Sequence, residues 1–196
     1  KHKLSLCDLT GFNGRCDAIY FTTDKNDAPE NTEDFRRSVE NVTLTQDETN
    51  YDLVVVGGGI AGTCMALTAI REGIKVLLIQ DRPVLGGCNS SEIKVGLGGW
   101  AHSQPYPKIG NVVDQISPVF GLPGSYPNSF YEDDRKHQAF YTVPAQYREN
   151  YTLALNEHVI SVEKQDDKIT AVVTKNIYTG ALKRYCGKLF SDCSGD

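Results

Sequence analysis

The pattern of apolar positions changes abruptly between residues 51 and 81. Residues 53–56, Leu-Val-Val-Val, form an uninterrupted apolar run rich in β-branched side chains, as expected of a strand buried on both faces. Residues 63–72, rich in Ala, Leu, Met and Ile, predict a buried helix, and Gly73 offers the left-handed residue that ends it. Residues 75–79 form a second apolar strand. Strand, glycine turn, helix and strand within about 30 residues make a βαβ unit, whose crossover forces its two strands to run parallel.

The flanking segments differ. Residues 3–7 and 17–22 predict two short strands around a turn-rich loop, a hairpin too small to be stable without further packing. Residues 25–50 are polar and acidic and predict a linker, with a helical turn or two over 33–40. Residues 82–131 are dense in Gly, Pro, Ser and Tyr and predict a long loop; stretches of this length usually serve a ligand. Residues 132–141 predict a helix stopped by Pro144. The charged run 132–136 and His137 read as its solvated face. Residues 153–162, 169–175 and 183–192 predict three strands, with turns at Asp166-Asp167 and Thr179-Gly180. The expected architecture is α/β: a Rossmann-type parallel sheet with a β insertion, preceded by a short β-rich segment. The expected division is 1–24 as the tail of a β-rich accessory module, 25–50 as linker and 51–196 as the N-terminal part of a dinucleotide-binding domain. The chain opens on Lys1 with no charged-then-apolar leader and closes inside a strand-end motif, so it reads as a fragment. A soluble protein fits, and an exported one fits if a leader has been removed.

The turn Gly57-Gly58-Gly59-Ile60-Ala61-Gly62 fits GxGxxG, and its place between strand and helix makes the match specific. Gly57 permits the tight turn, Gly59 lets a pyrophosphate approach the backbone, and Gly62 lets the helix pack close to the sheet. Ile60 and Ala61 stand where a helix N-terminus presents N–H groups and a positive dipole end to phosphate. An acidic residue about 20 positions on normally binds a ribose hydroxyl. Gln80 stands there, an acceptor without charge, and Asp81 beside it is the alternative; Arg82 faces adenine, phosphate or solvent. Gly86 and Gly87 allow a second close backbone approach near the pyrophosphate, with Asn89 and Ser90 adding short polar side chains.

Composition narrows the partners. The 196 residues carry a net charge of -5 and a pI near 5.4, a balance that repels nucleic acid and anionic lipid. The apolar runs are too short for a membrane span. None of the six cysteines is spaced as CxxC, and no metal-ligand cluster stands out. Cys64 and Cys193 read as buried thiols, while Cys7 and Cys16 are placed to pair in an exported protein. Among catalytic candidates His102 lies near Trp100 and Tyr106 in the long loop, His158 reads as a strand-edge residue, and Glu92 reads as a base or, more simply, a local backbone cap. The sequence assigns no catalytic residue.

Three stretches together resemble the FAD-dependent oxidoreductases of the glutathione-reductase type: VVVGGGIAG (54–62), LLIQDRPVLGGCNSSE (77–92) and LFSDCSGD (189–196). A fourth, DLTGFNGRCDAIYFTTD (8–24), is similar to a segment preceding the flavin domain in a bacterial subgroup, whose front module resembles a carbohydrate-binding β-sandwich. The resemblance implies FAD as cofactor, with its pyrophosphate at Gly57, Gly59 and Gly62 and its ribose at the Gln80–Asp81 strand end. It implies that the backbone of Val159 meets the adenine, and that Gly195 and Asp196 approach the cofactor. Gln80 departs from the family's usual Glu. The expected function is FAD-dependent oxidation or reduction of a small organic substrate, carbohydrate-related in one version. The alternatives are an NAD-dependent dehydrogenase and a carbohydrate-associated binding protein with a structural Rossmann part.

Overall fold

A computed structural model of the chain describes residues 3, 5, 7, 19–27, 30, 32, 35, 42–97, 105–108, 111–116 and 133–195. The chain divides into two units, Lys1–Asn41 and Val42–Asp196. In the first, residues 19–22 are irregular rather than extended in a sheet, and Tyr20 packs edge-on against Phe35 with ring centroids 5.4 Å apart. The rest of the expected hairpin, and most of the helical turn over 33–40, lie outside the described residues.

The second unit runs β1 (Leu44–Val56), α1 (Ile60–Arg71), β2 (Val76–Gln80), α2 (Val113–Ile116), α3 (Asp133–Tyr141), a 3-10 turn (Ala145–Asn150), β3 (Tyr151–Leu155), β4 (Glu157–Gln165), β5 (Lys168–Asn176) and β6 (Leu182–Asp192). One six-stranded sheet has the order β3-β2-β1-β6-β5-β4. β3, β2, β1 and β6 are mutually parallel, and β6-β5-β4 form an antiparallel meander. The parallel β1 and β2 expected from the glycine-linked unit are present, and Val54–Val56 pairs with Leu77–Ile79 in register.

Alternation along β1 and β2 divides the core. Val55, Val76 and Leu78 face α1 and pack with Leu67, Ile70, Leu85 and Phe140. Val54, Leu77 and Ile79 face the other way and pack with Val172 and Tyr185 of the meander. All five residues of β2 are buried, which explains its unbroken apolar run. Helix α1 ends on Gly73 at φ +82°, whose N–H donates to Ile70 O while that of Ile74 donates to Ala69 O.

Three expectations need correction. β1 starts at Leu44, so residues 44–50 of the expected linker belong to the sheet. Their side chains are mostly exposed, hence the polar composition; they pair in parallel with the first half of β6, and Lys183 Nζ lies 2.9 Å from Asp47. The single strand expected over 153–162 is two. Asn156, in the left-handed region at φ +61°, ends β3 in the parallel layer and starts β4 in the meander; asparagine tolerates that conformation better than most residues. Within the charged run, residues 133, 135 and 136 do not form a solvated face. Lys136 is fully buried against Gly86, Arg135 donates to the carbonyls of Asp114 and Gln115, and Asp133 accepts from Ser91, so these charges dock α3 on the neighbouring loops.

Candidate cofactor site

The glycine turn is fixed from several sides. Gly57 sits at φ +98°, and a Cβ there would lie 2.4 Å from the carbonyl oxygen of Cys193. A Cβ on Gly62 would lie 1.9 Å from the oxygen of Gly57. These two glycines allow backbone to pass backbone at the crossing of β1, α1 and the end of β6. Gly59 differs. It is the N-cap of α1 at φ -64°, no side chain caps the helix, and nothing stands within 4 Å of where its Cβ would be. Ile60 and Ala61 open α1, whose N-terminus carries no side-chain cap, an arrangement that favours an anion.

The second glycine pair supports the first. Gly86 N–H donates to Gly58 O at 2.8 Å, and a Cβ on Gly87 would stand 3.2 Å from Gly59 Cα. Asn89 and Ser90 are buried in the same loop, where Asn89 Nδ2 donates to Val95 O and Ser90 Oγ accepts from Glu92 N–H. It is Ser90, not the exposed Glu92 side chain, that caps the local backbone.

Gln80 is 5% exposed, and its Oε1 accepts the N–H of Gly58 at 2.7 Å. Its amide therefore tethers the turn that the sequence expects it to flank. Asp81, half exposed, lies 3.9 Å from His158 Nδ1 and 4.0 Å from Arg82 Nε. From Gly57 a cleft of about 480 Å³ runs past Gln80 and Asp81 to Glu157, His158 and Val159 on β4. Val172 and Phe190 give it apolar walls, and Asp192 and Ser194 border it at the end of β6. Ser194 donates both its N–H and its hydroxyl to Asp192 Oδ1, holding that carboxyl below the usual aspartate range. The pairing register of β4 with β5 slips by one residue between Val159 and Ser161, interrupting the ladder where Val159 faces the cleft.

The structure thus brings Gly57, Gln80, Asp81 and Val159 to the cleft, while Gly59 and, in the first turn of α1, Ile60, Ala61 and Gly62 do not line it, and Arg82 stands beside Asp81. Gly195, at φ +84°, also has open space beside it, while Asp196 lies outside the described residues. His102 and Cys16 lie outside them too. Cys64 is half-buried, and burial pushes its thiol up to about 11, so it is inert at neutral pH. Among the described residues, no three of His, Cys, Asp and Glu converge as a metal site, and no helix is long and apolar enough to cross a membrane. Sequence reasoning missed Gly58, whose buried amide is tethered by Gln80, and Glu157, whose carboxylate lines the cleft; Asn156, an unusual residue within an apolar strand pattern, was the available signal for the break that places Glu157 there.

Residues 52–196 match the family described as FAD dependent oxidoreductase. Pseudooxynicotine dehydrogenase of a Pseudomonas species is 43% identical over 72 residues, which are 34% of this chain and 14% of that protein. The aerobic glycerol-3-phosphate dehydrogenase of Staphylococcus aureus is 36% identical over 80 residues, 41% of this chain and again 14% of that protein. The chain thus spans 14% of the length of these curated relatives. The Mycobacterium smegmatis Sdh1 complex in its apo form shares the fold, with a TM-score of 0.53 at 14% identity over 76% of this chain and 34% of that one. With the match running from residue 52, inside the glycine-turn strand, to the last residue and so over most of the chain, the chain belongs to the FAD-dependent oxidoreductase family, whose cofactor is FAD.

Proposed function

We propose that this chain supplies the adenosine and pyrophosphate half of the FAD site in an oxidoreductase acting on a small organic substrate. The observation that carries this reading is the N-terminus of α1 at Gly59, free of any side-chain cap, two residues on from Gly57, where the cleft that runs to β4 begins. The residues present fit that end of FAD. Gly57, Gly59 and Gly62, with the N–H groups of Ile60 and Ala61, take the pyrophosphate. Asp81 takes a ribose hydroxyl, since Gln80 is engaged with Gly58 and contributes by holding the turn in shape. Arg82 flanks the phosphates. The interrupted ladder at Val159 leaves backbone polar groups for the adenine, and Val172 and Phe190 pack on the ring. Gly86 and Gly87, braced through Asn89 and Ser90, keep the turn open, and Gly195 approaches the cofactor beyond the end of β6. FAD when bound supplies the two-electron chemistry, so the protein's task at this site is to bind and orient it.

The relatives bear the names of dehydrogenases for an amine-containing alkaloid derivative and for a polyol phosphate. The resemblance of residues 8–24 to a carbohydrate-linked module favours a carbohydrate-related substrate here. The test of the site is Gly59→Val in the full-length protein, which should otherwise purify with FAD. Because nothing stands near the Gly59 Cβ position, the variant should fold normally and lose its flavin absorbance. A folded Gly59→Val protein that keeps all its flavin would overturn this placement of the pyrophosphate.

A further inference from the structure

Glu157 is the one acidic side chain set into the β4 side of the cleft, and its position is unusual. It follows Asn156 directly, and Asn156 N–H donates to the carbonyl of Arg82, so Glu157 stands just beyond the tip of β2. Its Oε2 accepts two hydroxyls, from Thr174 at 2.6 Å and Tyr185 at 2.9 Å. Thr174 and Tyr185 are themselves buried, at 0% and 2% exposure. The carboxylate is therefore anchored through one oxygen, and among the described residues no cation pairs with it. With Oε2 taken up by the two hydroxyls, Oε1 is left to accept from a donor in the cleft that Glu157 lines.

We propose that Glu157 reads the nucleobase: Oε1 accepts the exocyclic amine of adenine and so selects an adenine dinucleotide over one with a 6-oxo purine. This rests on the reading that the adenosine end of FAD occupies the cleft. The chemistry is a donor–acceptor match. The 6-amino group donates, as Oε1 requires, whereas a 6-oxo group would bring a second acceptor against the carboxylate. The apolar walls give the ring its affinity without distinguishing the two bases; the carboxylate makes the distinction.

The test compares FAD with its hypoxanthine counterpart, in which a 6-oxo group replaces the 6-amino group. Both are titrated into flavin-free full-length protein and followed by flavin fluorescence. The wild type should prefer FAD by about tenfold or more, the order of one charge-assisted hydrogen bond. In Glu157→Gln the amide oxygen can still accept from Thr174 and Tyr185, so the fold is kept, while its NH2 group faces the ligand. That variant should lose or invert the preference. Tyr185→Phe keeps the carboxylate and should keep the preference for FAD. Equal binding of the two dinucleotides by the wild type, or an unchanged preference in Glu157→Gln, would overturn the proposal. Failure of the cleft reading has a separate signature: Gly59→Val would then bind both dinucleotides as the wild type does.

Discussion

A methyl group at Gly62 would collide with the Gly57 carbonyl, whereas one at Gly59 would meet nothing, although the motif treats the two positions alike. Gly62→Ala is therefore expected to lower the unfolding free energy of the flavin-free protein by at least about 1–3 kcal/mol, the cost of overpacking a site that cannot relax. Gly59→Val should lower it by less, by no more than the about 1 kcal/mol that separates glycine from valine at an N-cap, and chemical denaturation of both variants measures the contrast. Gln80 gives a second residue-scale prediction. Its oxygen already accepts from Gly58, so a carboxylate in its place would keep that bond and add little to a ribose served by Asp81. Gln80→Glu should change FAD affinity by about 1 kcal/mol or less, and a gain near the upper end of a charged hydrogen bond, about 3 kcal/mol, would mean that Asp81 does not reach the ribose.

At the scale of elements, the meander lines the end of the cleft proposed for adenine and is braced by charge. Arg184 of β6 donates to both carboxylate oxygens of Glu163 on β4, at 2.8 Å each, across the intervening β5. That hydrogen bonding holds the Glu163 carboxyl below the usual glutamate range. A carboxyl whose value is lowered by folding contributes stability above its unfolded value of about 4.3 and loses it as pH falls through the lowered folded value. The pair is partly exposed, so its worth at neutral pH is about 1 kcal/mol at most. Glu163→Gln should be less stable than the wild type at neutral pH, and the two denaturation midpoints should converge once the pH is below the folded value. A difference that persists undiminished in acid would show that the ion pair is not its source.

Taken whole, the described residues would hold, on the proposed reading, the adenosine and pyrophosphate end of an extended cofactor. The cleft, about 480 Å³, runs from Gly57 to β4 and offers room for an adenosine. The 196-residue chain by itself should therefore bind FAD weakly, with a Kd above about 1 μM, because each 1.4 kcal/mol of missing contact is about tenfold in affinity. Fluorescence titration of that piece checks this, and submicromolar binding would show that the adenosine half suffices.

The βαβ unit was legible because its signals are local: an apolar run, three glycines and a helix pattern follow one another within a few turns of chain. The motif likewise placed the glycine turn at the start of α1, where the pyrophosphate is proposed to lie. What lay beyond sequence depends on partners far along the chain. Residues 44–50 are polar because one face meets water, and only pairing with β6, more than 130 residues on, makes them a strand. The charges of 132–136 look like solvent-facing residues until α3 docks and Lys136 comes to rest against Gly86. Gln80 sits at the ribose position of the pattern, yet its amide turns inward because the Gly58 N–H lies buried within its reach. The sequence by itself determined the parallel βαβ unit and its phosphate-facing turn, since backbone conformation and hydrophobic period are properties of neighbouring residues. Only the tertiary structure decided which polar side chains face the cleft and which are consumed in holding it, because that depends on which buried donors and acceptors the folded chain brings within hydrogen-bond distance.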